Sequence, residues 1–146
     1  MYEQTASPEN TTNPAKVKAR IVVADDEPRI LRWMQKALEA EGYSVETAQD
    51  GKVALEKMRG NPPDILVTDL MMPVMDGIEL SSHCLKDSEL CDVPIILLSA
   101  RASPGSSEDN ERWLAMLKHR PNIQFCITKP FNPKEVVEAV ERLLLG

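Results

Sequence analysis

Short aliphatic and β-branched runs alternate with longer helix-period segments from Lys18 to the end of the chain, and this alternation constrains the fold more than any other feature. The runs cover residues 20–24, 43–48, 64–68, 94–98 and 125–128. Strands of this kind, separated by amphipathic helices, are the pattern of a parallel sheet covered on both faces. Four of the runs lead into polar groups: Asp25 and Asp26, Asp69, Ser99, and Lys129 followed by Pro130. In a parallel sheet all strand ends of one sense share one edge, where open α/β proteins place their chemistry.

The helical segments carry matching punctuation. Pro28 suits the first turn of a helix with Ile30, Leu31, Met34, Ala37 and Leu38 on one face, ending at Glu41-Gly42. Asp50 can cap a second helix that stops at Gly60-Asn61-Pro62-Pro63. Ile78, Leu80, Cys84 and Leu85 mark a third, and Trp113, Leu114 and Leu117 a fourth behind the acidic Glu108, Asp109 and Glu111. Residues 133–145 form the last, giving five strands and five helices. Residues 1–18 contain almost no large apolar side chains and are expected to be a mobile tail, with one domain over 19–146.

Bulk properties remove several function classes. A net charge of −6, from 17 basic and 23 acidic residues, argues against direct binding to nucleic acid or an anionic membrane. No apolar stretch reaches the length of a membrane span, and the N-terminus lacks the regions of a signal peptide. The three cysteines fit neither a zinc spacing nor a redox pair, so a reducing cytoplasmic location is expected.

Taken singly, each strand-end group has an ordinary structural role: Asp25 as the cap of the first helix, Ser99 as a turn residue, Lys129 as a solvated charge. Their conjunction has a different meaning. Two unit charges about 4 Å apart interact by roughly 4 kcal/mol at an effective dielectric near 20, so gathering Asp25, Asp26 and Asp69 calls for a cation. A small number of oxygen ligands, with room for water and a phosphate oxygen, suits Mg²⁺. Metal, lysine and hydroxyl around one carboxylate form a set for phosphoryl transfer to it, with Asp69 as nucleophile.

The motifs Val-Val-Ala-Asp-Asp-Glu-Pro around Asp25, Thr-Asp-Leu-Met-Met-Pro-Val-Met-Asp-Gly around Asp69, Leu-Ser-Ala around Ser99 and Thr-Lys-Pro-Phe around Lys129 closely resemble those of response regulator receiver domains. The resemblance covers all but the tail. It implies a flavodoxin-like, doubly wound sheet of order 2-1-3-4-5 with helices on both faces. It also implies that Asp69 accepts a phosphoryl group from a phosphohistidine on a sensor kinase or phosphotransfer protein. Asp25, Asp26, Asp69 and the Met71 backbone carbonyl would hold Mg²⁺, Ser99 and Lys129 would bind the phosphoryl oxygens, and Lys129–Pro130 would be cis.

Two departures from the family pattern stand out. The position three before the lysine, usually aromatic, is Cys126, and strand alternation points the adjacent Phe125 to the opposite face unless a bulge intervenes. The stretch between Ser99 and Lys129 is also longer than usual, with the extra length expected in loop 101–110 or the fourth helix. Both departures fall on the face made by the fourth helix, fifth strand and last helix, where a homodimer or output partner is expected. Retention of all five site residues argues against a pseudo-receiver that is never phosphorylated. A phosphatase of the haloacid dehalogenase type would need a second aspartate where Met71 stands. The chain ends just after the last helix, which suits either a stand-alone receiver or one module of a longer regulator.

Overall fold

The computed structural model describes residues 17–100, 115 and 119–146. Five strands form, β1 (Arg20–Ala24), β2 (Ser44–Ala48), β3 (Ile65–Asp69), β4 (Ile95–Ser99) and β5 (Ile123–Thr128). All neighbours pair in parallel, in the order β2-β1-β3-β4-β5. Four helices are described: α1 (Pro28–Ala40), α2 (Gly51–Gly60), α3 (Gly77–Leu85) and α4 (Pro133–Leu145). The helix expected around residues 108–117, loop 101–110 and most of the expected N-terminal tail lie outside the described residues. The backbone N–H of Lys18 donates to the Gly42 carbonyl, and Ala19 is buried, so the ordered packing reaches back to Lys18.

Strand alternation divides the core in two. Ile21 and Val23 of β1, Ile65 and Val67 of β3, and Ile96 and Leu98 of β4 pack under α1 and α4 with Leu31, Met34, Leu38, Val136 and Val140. Their neighbours Val22, Ala24, Leu66 and Ile95 face the opposite side, with Ala54, Leu55, Met58, Leu80 and Cys84 of α2 and α3. β3 and β4 are buried along their whole length, and each fully buried Leu, Ile or Val contributes about 1.5–3 kcal/mol.

Each helix starts where a local device allows it. Pro28 opens α1, whose N-cap Glu27 makes no side-chain cap. Asp50 accepts from the Val53 N–H to start α2, Asp76 and Glu79 form a reciprocal capping box at α3, and Asn132 accepts from the Lys134 N–H at α4. After α1 the chain reverses at Gly42, whose φ of 97° suits a residue without Cβ.

β5 departs from regular pairing. Ile95 faces Ile123 but Ile96 faces Phe125, so Gln124 is an extra residue in the strand. The bulge turns Phe125 and Ile127 under α4 while Ile123 packs with the α2–α3 side. It lies ahead of Phe125, so alternation resumes beyond it: Cys126 sits on the other face from Phe125 and is exposed. No helix among the described residues is long and apolar enough to cross a membrane.

Candidate functional site

Because β2 and β3 lie on opposite sides of β1, the connections diverge there and leave a crevice beyond the C-terminal ends of β1 and β3. Asp25 follows β1 directly and Asp69 ends β3. They share strand parity with Ile21, Val23, Ile65 and Val67, so both leave the sheet on the same face. Carboxylate oxygens of Asp25, Asp26 and Asp69 lie within 4.8 Å of one another, with Asp25 fully buried, Asp69 nearly so and Asp26 exposed.

Asp25 does not cap α1. Its Oδ1 accepts from the Glu27 N–H at 2.9 Å, closing a short turn, while Oδ2 faces Lys129 Nζ at 3.5 Å. The same ammonium lies 3.2 Å from Asp69 Oδ1, so Lys129 bridges the two buried carboxylates. Its position is set by the backbone: the Lys129 N–H donates to the Ser99 carbonyl at 2.8 Å, and Ser99 faces Thr128 across the β4–β5 ladder. Ser99 is itself buried at the end of β4. Lys129–Pro130 is cis, as the resemblance implies.

The electrostatics are unbalanced. Burial, reinforced by the charge of Asp69, pushes the Asp25 carboxyl up to about 6 against the opposing pull of the Glu27 N–H and Lys129. Burial also raises Asp69, with Lys129 opposing and Asp26 adding to the rise. For Lys129 burial works to lower the pKa, but the two carboxylates outweigh it and the net shift is upward. One ammonium for three clustered carboxylates leaves a deficit of positive charge, and an all-oxygen donor set fits a hard divalent cation such as Mg²⁺.

The loop after β3 completes the rim. Met71 and Val74 are exposed there, and Val74 has a φ of 70°. Two residues past Lys129, Phe131 meets Trp33 of α1 in a tilted stack, ring centroids 5.7 Å apart. The sequence pattern carried no sign of this ring pair, because its partners are nearly a hundred positions apart and Trp33 lies off the core-facing stripe of α1. His119 is exposed in the turn before β5.

The model of the response regulator receiver domain matches residues 21–141. The chain belongs to this family. It is 37% identical over 125 residues to the alkaline phosphatase synthesis transcriptional regulatory protein PhoP of Bacillus subtilis, covering 86% of this chain and 48% of that protein. It is 34% identical over 127 residues to hybrid signal transduction histidine kinase D of Dictyostelium discoideum, covering 87% of this chain and 8% of that one. The receiver chain thus spans about half or less of the length of these curated relatives. Among solved structures, the Francisella response regulator 1452 receiver domain superposes with a TM-score of 0.75 at 32% identity, covering 88% of this chain and 98% of that one. Chemotaxis response regulator CheY4 of Vibrio cholerae gives 0.72 at 30% identity, covering 86% and 98%. The fold and the two-component signalling role expected of this receiver are therefore those of its family.

Proposed function

We propose that this receiver accepts a phosphoryl group on Asp69 from a phosphohistidine of a sensor kinase or phosphotransfer protein, in a Mg²⁺-dependent reaction. The observation that carries the proposal is Lys129 Nζ set between Asp69 Oδ1 and Asp25 Oδ2, at the mouth of the crevice where three carboxylates converge.

An Asp69 carboxylate oxygen attacks phosphorus in line. An O–P bond forms as the P–N bond to the donor imidazole breaks, and the electron pair of that bond stays on the imidazole nitrogen, which takes up a proton. Lys129, already beside the attacking carboxylate, offsets charge that builds on the equatorial oxygens, and the Ser99 hydroxyl donates to one of them. Asp25, Asp26, Asp69 and the Met71 carbonyl would hold Mg²⁺, which supplies charge neutralisation for the incoming phosphate. Water attack on the aspartyl phosphate reverses the modification, so the chain catalyses only its own phosphorylation and dephosphorylation. The chain works in the cytoplasm, and its output or homodimer contact uses the face of the expected fourth helix, the fifth strand and the last helix.

Intact mass after incubation with Mg²⁺ and acetyl phosphate is expected to show one added phosphoryl group, absent in Asp69→Asn. No adduct on the wild-type chain from acetyl phosphate or a cognate kinase would overturn the proposal.

A further inference from the structure

The residue before the phosphoacceptor makes an interaction that the chemistry above does not use. Thr68 is fully buried, and its hydroxyl Oγ1 donates to the backbone carbonyl of Asp69 at 3.0 Å. The first residue of α3 also packs closely on the same carbonyl: a Cβ on Gly77 would sit 2.5 Å from it. The N–H of that same peptide, and the carbonyl of the next one, are tied as well. The Leu70 N–H donates to the Leu98 carbonyl at 2.8 Å, and the Gly77 N–H donates to the Leu70 carbonyl at 2.8 Å. Thr68 Oγ1 also contacts Met72 Sδ at 4.0 Å, so one hydroxyl touches both the strand end and the loop that leaves it.

We infer that Thr68 is a positioning residue: its hydroxyl, together with Gly77, fixes the peptide after Asp69 and thereby the direction of the Asp69 carboxylate and of the Met71 carbonyl two residues on. The inference rests on the proposal that Asp69 is the phosphoacceptor. A hydroxyl in a strand this buried has a cost, because Thr68 faces Ala24 and Leu97 in the ladder and an aliphatic side chain would pack there without any hydrogen-bonding demand. The rotation of one peptide plane is enough to misdirect a carboxylate, since strand geometry orients the backbone before Asp69 and the carbonyl orients the loop beyond it. Loss of one such bond typically corresponds to about a tenfold effect.

The test compares Thr68→Val, Thr68→Ser and Gly77→Ala in the full chain. Thr68→Val is expected to keep a thermal midpoint within a few degrees of wild type while losing about tenfold in Mg²⁺ affinity by calorimetric titration and about tenfold in the rate of adduct formation with acetyl phosphate. In EDTA, its Gly77 amide is expected to exchange with deuterium several-fold faster. Thr68→Ser, which keeps the hydroxyl, is expected to restore all three values. Gly77→Ala pushes the same carbonyl with Thr68 intact, and the same losses are expected. Wild-type values in Thr68→Val, or a Thr68→Ser variant as impaired as Thr68→Val, would overturn the inference, and should Thr68→Val fail to fold, an unimpaired Gly77→Ala would do so. A wild-type chain that takes up no phosphoryl group would sink the phosphoacceptor assignment instead, with metal titration and amide exchange still deciding the role of Thr68.

Discussion

Val74 holds a φ of 70°, a left-handed conformation that places a β-branched side chain against its own carbonyl. The side chain is exposed, so no packing compensates the strain locally. Val74→Gly is therefore expected to raise the unfolding free energy by about 1 kcal/mol, read from urea denaturation; an unchanged or lower value would show that the turn is relaxed. Asp25 holds a second residue-scale strain, electrostatic in origin. Its carboxyl is buried beside Asp69 and shifted up to about 6, so at neutral pH it is still mostly ionised but holds that charge at a cost to the fold. Asp25→Asn is expected to stabilise the metal-free chain in EDTA by about 2 kcal/mol and to abolish any further gain on adding Mg²⁺. A variant that still gains from Mg²⁺ as wild type does would remove Asp25 from the metal-binding set. Asp25, Asp69 and Lys129 were legible because each ends a recognisable run. Val74 was not, because a valine in a Met-Pro-Val-Met sequence carries no mark of the turn it must make.

At the scale of elements, β5 shows how far periodicity can mislead. Ile123, Phe125 and Ile127 stand at alternate positions, as one face of a regular strand would, yet the extra residue Gln124 sends Ile123 to one core and the other two to the opposite core. Hydrophobicity at alternate positions is the same whether a bulge is present or not, so the sequence pattern located the strand only from Phe125 onward and missed its first turn of pairing. Removing Gln124 would leave Ile123 and Phe125 as direct neighbours on opposite faces, which is what regular alternation requires. Deletion of Gln124 is expected to preserve cooperative unfolding and acetyl phosphate labelling. Insertion of a residue between Phe125 and Cys126 is expected to abolish both, because it turns Ile127 and Lys129 to the wrong face. Loss of labelling in the deletion variant would mean that the bulge itself aims Lys129. The helix starts were more transparent: Pro28, Asp50 and Pro133 each stand where the expected helix begins, since capping chemistry is local and survives without tertiary context.

For the molecule as a whole, the core on the α2–α3 side carries a titratable group that the site chemistry never touches. Burial pushes the Cys84 thiol up to about 12, with Asp87 adding to the rise and Arg59 opposing it, against 9.0 for an unperturbed thiol. The folded chain therefore holds this proton more tightly than the unfolded chain. Stability from this source is fully present below about pH 9 and falls by up to about 1.4 kcal/mol per pH unit until about pH 12. Urea midpoints measured between pH 8 and 10.5 are expected to fall less steeply in Cys84→Ala than in wild type; parallel slopes would show that Cys84 is not the group responsible. The sheet order and the two-sided core were readable from the alternation of runs and helices together with the family resemblance, because burial on both faces leaves a strong aliphatic signature. The tilted stack of Trp33 on Phe131 has a practical consequence: an indole on the outside of α1 is optically tied to the segment just past Lys129. In a Trp113→Phe background, the emission maximum of Trp33 becomes a built-in gauge, able to time any shift of that segment without a label or a partner protein.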